Sequence, residues 1–375
     1  MKTAAIALAL ASTAVGQSLT EVLSSSPQLS NLTTLLQPYA DQFSNLTNIT
    51  LLAPDNNAIS TFLNTTTGAA VASQPNLVQA ILNYHVLQGN YSNITNTSFI
   101  PTSLQSGAYA NVTGGQRVEA VPSDGNVTFF SGLLQNSSVV NASIPFDQGT
   151  VHIISQFLTL PQNVSATAVA LNLTSAVGAI QTLNLTQQID NTEDLTVFLP
   201  NNAAFQRVGG NLANLSTTDL ANILSYHVVP GRVLYSTQIM NGSSVGTLSQ
   251  GSNLTARLEG EDVYINQARV IRPNVLVANG VIHVIDRVLN PANATAAPNT
   301  SASSTEEAFA GATSASDEPF TSGVPTPTSA IESDAGEAQA TGGSSSSSGG
   351  AFRPLETGAI GMAALFGGAA AVMNM

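Results

Sequence analysis

Four histidines are among the residues of this chain whose type could take part in acid–base chemistry or bind a metal. Such chemistry needs partners at a useful spacing, for example a second histidine one helical turn away or an adjacent glutamate. None of them occurs in a His-x-x-x-His pattern or next to a glutamate; they are His85, His152, His227 and His283. The sequence therefore predicts neither a metal site nor a catalytic histidine.

One serine matches a nucleophile motif, because Gly242–Gly246 fits the string Gly-x-Ser-x-Gly. That motif requires a sharp turn between an incoming strand and an outgoing helix, whereas Thr247–Gly251 has a loop-like composition. The chain also contains no cysteine, which excludes thiol nucleophiles, thiolate metal sites and disulfides. We expect a protein that is not an enzyme and has no catalytic residue and no cofactor. A hydrolase that uses Ser244 is the disfavoured alternative.

An internal repeat places the histidines at equivalent points of two similar segments. Three blocks recur in the same order, which indicates two copies of one domain with loops of different length. The paired blocks are Thr50–Ile59 with Thr196–Phe205, Ile81–Val86 with Ile223–Val228, and Gly149–Leu158 with Gly280–Leu289.

Each block predicts a local structure. In the first, a short apolar run stops at proline and at Asn or Asp, as in a buried strand that leads through a turn into a helix. In the second, apolar residues precede His85 and His227 by three, four and seven positions, so each histidine lies on the apolar face of a helix. We expect these two side chains to be packed and hydrogen-bonded inside. The same holds for His152 and His283, which lie within apolar strands.

Between the second and third blocks, each copy shows two strand signals around a turn. They are Arg117–Val121 and Val127–Phe130 in the first copy, and Leu254–Leu258 and Val263–Asn266 in the second. Helices come first and strands later in each copy, which favours an α+β fold.

The three blocks resemble the motifs of the fasciclin domain family, which read approximately Thr-x-Phe-x-Pro-x-Asn-x-Ala-Phe, Tyr-His and Gly-x-x-His-x-x-Asp-x-x-Leu. The second copy matches nearly throughout, at Phe198, Pro200, Asn202, Phe205, Tyr226, His227, His283, Asp286 and Leu289. The first copy keeps Pro54, Asn56, Tyr84, His85 and His152. It departs at Leu52 and Ile59, where the family has phenylalanine, and at Ser155, where the family has aspartate.

This resemblance implies two tandem fasciclin-like domains, residues 17–161 and 162–291, each a wedge or sandwich of β-strands packed with several helices. It also implies a role in cell adhesion or matrix association, with cell-surface or matrix proteins and glycans as partners. The Tyr-His region of the family is linked to adhesion, which makes a candidate adhesion motif of Tyr84, His85, Tyr226 and His227. The remaining motif residues are expected to be structural.

The composition is unusually poor in charge, with 43% apolar and 8% charged residues. Polar surface must therefore come from Asn, Ser and Thr, which often form the N-x-[ST] sequon that accepts N-linked glycan in secreted proteins. Nineteen sequons predict a glycoprotein; their asparagines are Asn31, Asn45, Asn48, Asn64, Asn90, Asn93, Asn96, Asn111, Asn126, Asn136, Asn141, Asn163, Asn172, Asn184, Asn214, Asn241, Asn253, Asn293 and Asn299.

The formal net charge of −13 argues against nucleic acid as a partner. Binding to phosphates needs clustered lysines and arginines, and only nine basic residues occur in the chain. The sequence leaves the oligomeric state open.

The first sixteen residues have the form of a secretion signal. Lys2 precedes the apolar run Ala4–Ala11, and the segment ends in small residues, so residues 1–16 are predicted to be a cleaved signal peptide. A buried N-terminal helix is the alternative. A capping-box pattern from Ser18 to Glu21 then predicts a helix start.

The C-terminal part of the chain predicts a stalk and a lipid anchor. Residues 292–350 are rich in Ser, Thr and Pro, which is typical of a disordered, O-glycosylated stalk. Residues 351–375 combine a polar spacer with an apolar tail, as in the propeptide removed when a glycosylphosphatidylinositol (GPI) anchor is attached. Ser348 and Gly349 are the candidate attachment residues. A membrane-spanning tail is the alternative.

Together these features predict a non-enzymatic adhesion glycoprotein, GPI-anchored at the outer plasma membrane or in a cell wall. One alternative is a module that holds a lipid or glycan in an apolar groove. A vacuolar membrane is one location for such a module. The sequence does not separate these locations.

Overall fold

The computed structural model describes residues 16–105, 107–249, 251–298 and 307–326. Within these ranges the chain forms two units of the same architecture. The first unit ends with a strand at residue 154 and the second begins with a helix at residue 164.

The first unit has six α-helices and seven β-strands within the described residues. Its helices are α1 (Leu19–Ser25), α2 (Ser30–Leu36), α3 (Ala40–Ser44), α4 (Asn56–Leu63), α5 (Thr66–Ala72) and α6 (Pro75–Tyr84). Its strands are β1 (Ile49–Pro54), β2 (Val86–Gln88), β3 (Ser98–Pro101), β4 (Arg117–Ser123), β5 (Asn126–Phe130), β6 (Asn136–Phe146) and β7 (Gly149–Ile154).

The second unit repeats this inventory in the part of the chain that is described. Its helices are α7 (Val164–Ala170), α8 (Thr174–Thr182), α9 (Thr186–Asn191), α10 (Asn202–Arg207), α11 (Gly209–Leu212) and α12 (Thr217–Tyr226). Its strands are β8 (Leu195–Pro200), β9 (Val228–Val229), β10 (Ser244–Gly246), β11 (Asn253–Glu259), β12 (Asp262–Ile265), β13 (Ala268–Val277) and β14 (Gly280–Ile285).

Both units have the same sheet topology. The strand order is β2-β1-β7-β6-β5-β4-β3 in the first unit and β9-β8-β14-β13-β12-β11-β10 in the second. In each unit one pair is parallel, β1 with β7 and β8 with β14, while the other neighbours are antiparallel. The α+β class and the two-copy organisation that the sequence predicts are therefore confirmed, as are both predicted hairpins.

The parallel pair is the centre of each unit. Every residue of β1, β7, β8 and β14 is buried, so both faces of these strands are covered. In the first unit, α1 to α3 cover one face, while α6 and the outer strands β3 to β6 enclose the other. Such two-sided burial explains why these blocks read as continuous apolar runs rather than as alternating ones.

A glycine begins the last strand of each unit because the backbone of the first strand passes too close for a side chain. A Cβ atom at Gly280 would overlap the carbonyl oxygen of Leu195, and the φ of Gly280 is +152°. A Cβ at Gly149 would overlap the carbonyl oxygen of Ile49 in the same way. The glycine that opens the third sequence block therefore permits the parallel pairing.

Side-chain caps start the helices that the sequence predicts. Ser18 and Glu21 form the reciprocal capping box of α1. Asp55 and Asn201, one residue after the motif proline, each accept a hydrogen bond from a backbone N–H in the first turn of α4 and α10. Ser216 caps α12 in the same way. The proline therefore ends the strand and the next residue starts the helix.

Part of the predicted stalk, residues 292–350, falls within the described residues. Residues 307–326 lie on the second unit, where Ala308 and Phe309 are buried among its apolar side chains and Phe320 packs against Phe205. The composition of this segment suggests disorder, but its two phenylalanines pack against apolar side chains of the second unit. The remainder of the predicted stalk from residue 327 lies outside the described residues.

We expect Gly280→Ala to lower the free energy of unfolding by about 1–3 kcal/mol, since the new methyl group must displace the backbone of β8. Chemical denaturation followed by circular dichroism measures this change. Gly246→Ala is the matched control, because a Cβ there would lie 3.8 Å from its nearest neighbour, Asn253 Oδ1. Equal stabilities of the two variants would contradict the close approach of β8 and β14.

Candidate functional site

The candidate adhesion motif lies inside the protein. Tyr84 and Tyr226 are 0% exposed, and His85 and His227 are 2% exposed. Each tyrosine hydroxyl donates a hydrogen bond to a backbone carbonyl on the outer sheet, Tyr84 to Arg117 and Tyr226 to Asn253, both at 2.9 Å. A binding partner could not contact these four side chains while the units remain folded.

The two histidines that end α6 and α12 make the same pair of hydrogen bonds. Nδ1 of His85 lies 2.7 Å from the carbonyl oxygen of Ile81, and its Nε2 accepts from the N–H of Leu158 at 3.0 Å. His227 contacts the carbonyl of Ile223 at 2.8 Å and the N–H of Leu289 at 2.9 Å. Because one partner accepts and the other donates, the ring must be neutral with its proton on Nδ1. Each ring thus joins a helix end to the segment after the last strand.

The two histidines within β7 and β14 hold a loop in place. Nε2 of His152 lies 2.7 Å from the carbonyl oxygen of Tyr91, and Nε2 of His283 lies 2.7 Å from that of Leu234. The N–H of the same loop residue donates to a threonine hydroxyl on the neighbouring strand, Tyr91 to Thr50 in the first unit. The pair Leu234 and Thr196 repeats this contact in the second unit.

Burial keeps all four histidines neutral. It lowers the pKa of His85, His227 and His283 to about 4, and it lowers the pKa of His152 from its ordinary value. In each case the hydrogen bond to a carbonyl opposes this effect but is the weaker influence. These rings are structural connectors, as their spacing in the sequence predicts.

The motif proline and asparagine serve the same structural end. Pro54 and Pro200 are buried at the ends of β1 and β8. Asn56 donates to the carbonyl of Pro27 and accepts from the N–H of Asn31, which fixes α2 against α4. Asn202 ties α8 to α10 with equivalent bonds.

The departures of the first copy from the motif preserve its packing. Leu52 and Ile59 are buried where the second unit has Phe198 and Phe205, which are buried as well. Ser155 accepts a hydrogen bond from the N–H of Ser138 at 3.1 Å. In the second unit, Asp286 accepts from the N–H of Arg269 at 2.8 Å. A shorter polar side chain thus replaces the aspartate at the same strand junction.

The nucleophile motif has the wrong surroundings for catalysis. Ser244 lies within β10 and pairs with Thr255 on β11, so it occupies an extended strand rather than a strand-to-helix turn. Among the described residues, no group of three or more His, Asp or Glu side chains is placed to hold a metal ion.

The interface between the two units is a feature that sequence reasoning missed. The N–H of Asn111 donates to Ala278 O at 2.6 Å, and the side chain of Gln116 donates to Val277 O at 2.9 Å. The rings of Phe99 and Tyr235 stack with centroids 4.1 Å apart. The segment before β4 of the first unit therefore contacts the end of β13 and the following residue, while β3 contacts the loop that contains Tyr235.

A buried carboxyl lies at the centre of this interface. Glu119 is 7% exposed, and its Oε1 accepts from the side chain of Asn274 at 2.9 Å. Burial raises the pKa of Glu119 to about 7, and the bond from Asn274 lowers it only in part. In the sequence Glu119 alternates with apolar neighbours and reads as a solvent-facing position, because nothing local indicates that a second unit covers that face.

The sequon asparagines lie on the outside of the described residues. All of them are exposed except Asn111 and Asn136, which are half-buried, while Asn299 lies outside the described ranges. Both functional side chains of the Asn111 sequon are engaged across the interface. The amide of Asn111 donates to Asn191 O at 3.1 Å, and the hydroxyl of Thr113 contacts Asp194 at 2.5 Å.

The predicted terminal signals are not described by the structure. Residues 1–15 of the signal peptide, and both candidate attachment residues, Ser348 and Gly349, lie outside the described ranges. Among the described residues, none of the helices combines the length and hydropathy that a bilayer crossing requires.

Comparisons with known proteins agree with the motifs. Two regions, residues 27–161 and 171–291, match the family model of the fasciclin domain. A fasciclin-like arabinogalactan protein of Arthroderma benhamiae is 39% identical over 323 residues, which cover 84% of this chain and 76% of the relative. The fasciclin-like arabinogalactan protein elcF of Phaeosphaeria nodorum is 30% identical over 278 residues, which cover 72% of this chain and 88% of the relative.

A solved structure, the FAS1 domain pair of the insect cell adhesion molecule fasciclin I, aligns with a TM-score of 0.35 at 20% identity. The alignment covers 70% of this chain and 96% of that one.

We expect the stabilising effect of His227 to depend on pH. Its folded pKa of about 4 is below the unfolded value of 6.5, so its contribution is complete above pH 6.5 and is lost as the pH falls towards 4. At pH 7.5, His227→Gln is expected to cost about 1–3 kcal/mol, since a buried backbone group loses its partner.

Denaturation of wild type and His227→Gln between pH 7.5 and pH 4 measures this difference. The two stability curves should converge as the pH falls, because the wild-type ring becomes protonated. Glu119 has the opposite effect, because its raised pKa favours folding at low pH. Its contribution is the same in both proteins, so it cancels when the two free energies of unfolding are subtracted. If the difference in the free energy of unfolding stays constant with pH, the neutral role of the His227 ring is contradicted.

We expect Asn111 to carry no glycan in protein whose units are docked, because the interface occupies both side chains of its sequon. Asn126, which is exposed in the turn between β4 and β5, is the comparison site and should be glycosylated. Glycopeptide mass spectrometry of the folded, purified protein measures both occupancies. Full occupancy of Asn111 would show that the units do not dock as described.

Proposed function

The chain belongs to the fasciclin domain family, and from that premise we propose that it is a secreted or cell-surface glycoprotein of the adhesion type. In this proposal it mediates cell–cell or cell–surface contacts without catalysing a reaction. The observation that carries it is the division of the side chains between inside and outside. The histidines of the described residues are buried and engaged, whereas nearly all sequon asparagines are exposed.

This division determines how contacts would be made. A partner meets exposed polar backbone, short hydroxyl side chains and N-linked glycans rather than reactive groups. The candidate adhesion motif contributes indirectly, because Tyr84 and Tyr226 hold the outer strands against the helices. Matrix or cell-surface proteins and glycans are the partners that such a surface suits.

The relatives support a surface role by their names alone. The two fungal relatives are fasciclin-like arabinogalactan proteins, and their names support a glycoprotein of the same general kind. We propose that it is held at the outer plasma membrane or cell wall by a GPI anchor at Ser348 or Gly349. The support for the anchor is the sequence pattern of the C-terminal tail.

The core offers little support for a module that holds a lipid or glycan. Among the described residues, the cavity beside His85, lined also by Leu36, Phe43 and Phe157, measures about 10 Å³. A larger depression of about 610 Å³ between Asn290 and residues 307–312 lies at the surface and opens widely to solvent. The volume of the cavity beside His85 is the one that concerns the core. That is close to the space of one water molecule and far below the size of a lipid or sugar. Adhesion is therefore the favoured proposal. Native mass spectrometry of the glycan-trimmed protein should show no persistent small-molecule adduct.

We expect cells that display the full chain to attach to one another or to a matrix more strongly than cells from which its gene is deleted. Phosphatidylinositol-specific phospholipase should release the protein and reduce attachment to the level of the deletion. Attachment is counted before and after release, with the protein followed by a tag inserted after Gln17.

Ser244→Ala is the matched control for the hydrolase alternative. This variant should attach like the wild type, because Ser244 lies in an extended strand rather than in the strand-to-helix turn that the nucleophile motif requires. Unchanged attachment after deletion would contradict the adhesion proposal. Retention on the cell after phospholipase treatment would contradict the lipid anchor.

A further inference from the structure

The second unit carries a segment for which the first unit has no counterpart. Residues 307–326, here called the strap, follow the family domain and lie across α8, α10 and α11. The surface beneath the strap is here called the groove. The contacts between them have the features of a recognition site.

Apolar side chains anchor both ends of the strap. Ala308 is 3% exposed and Phe309 is 9% exposed, and both belong to the core cluster of the second unit. Phe320 meets Phe205 edge to face, with ring centroids 6.2 Å apart and planes at 79°. These contacts remove two phenylalanines from water in a segment otherwise made of small and polar residues.

Charge and backbone hydrogen bonds fix the strap between these anchors. Glu307 lies 2.9 Å from Nε of Arg207 and 3.1 Å from Nε of Arg287. The N–H of Gly210 donates to Thr313 O at 3.0 Å, and the N–H of Ala315 donates to Gln206 O at 2.9 Å. The groove therefore contacts an acidic side chain at one end of the strap and backbone groups in its middle.

Three glycines make room for the strap. A Cβ at Gly178 would overlap the carbonyl oxygen of Phe320, and one at Gly209 would overlap the Cβ of Ala315. A Cβ at Gly210 would overlap the side chain of Thr313. At each of these three positions, the three atoms nearest to the added Cβ belong to the strap.

The first unit lacks each of these features at the equivalent positions. Asn56 and Asn202 make equivalent bonds to α2 and α8, which aligns Thr34 with Gly178. Continued past the first sequence block, the offset of that block places Leu63, 40% exposed, at the position of Gly209. Arg207 and Arg287 are replaced by Thr61 and Gln156. The groove is thus a specialisation of one copy.

We propose that the groove is a peptide-recognition site for an acidic segment, and that the strap occupies it as a separable intramolecular latch. The latch holds the start of the C-terminal tail on the second unit. If the tail is lipid-anchored, as proposed above, a force applied at the anchor acts on the strap before it acts on β14. Release of residues 292–326 would then lengthen the tether by on the order of 120 Å.

The test uses the full chain with a protease site replacing residues 300–305 and a tag after Gln17. After cleavage, the protein is captured by the tag, washed, and analysed for the C-terminal fragment by mass spectrometry. A latch retains the fragment without a covalent link. Loss of the fragment from the wild-type groove during the wash would overturn the proposal.

Gly178→Ala and Gly209→Ala are the discriminating variants. Alanine favours a helix more than glycine does, so neither change should unfold the body, and circular dichroism checks this. We expect retention of the fragment to fall roughly tenfold or more, since the new methyl group occupies the place of the strap. Retention equal to that of the wild type would overturn the proposal.

Thr34→Ala is the matched control, because it makes an alanine at the equivalent position of the first unit. It should retain the fragment like the wild type, and loss in this variant would show that retention does not depend on the groove. The assay needs no membrane, so its outcome is independent of adhesion and of the lipid anchor.

Discussion

The fold depends on a neutral imidazole that connects the end of a helix to the end of a strand. His85 and His227 each donate to a carbonyl one helical turn back and accept from a backbone N–H beyond the last strand. A charged ring has two donors and no acceptor, so it could not make this connection. The core around each ring must therefore remain dry, which couples its packing to its protonation state.

This constraint explains why a chain with so few reactive side chains keeps histidine at all. The histidines make internal hydrogen bonds, as do the threonines that hold the loop residues Tyr91 and Leu234. The exterior is left to hydroxyls, amides and sequons.

The two copies have diverged in what they add to a shared frame. Outer strands of the first unit pack against the second unit. There Glu119 accepts a buried hydrogen bond from Asn274. The second has glycines at 178 and 209 and arginines at 207 and 287, which together contact the strap. Repetition therefore supplies the stable units, and small local changes give each unit a different neighbour.

The sequence by itself determined the repeat, the α+β class, the helix starts and the burial of the histidines, because these follow from periodicity and capping within short windows. The tertiary structure alone decided the interface at Glu119, the occlusion of Asn111 and the seating of residues 307–326. Each of these depends on a surface supplied by residues far away in the chain. Local composition cannot show which exposed face another part of the same molecule will cover.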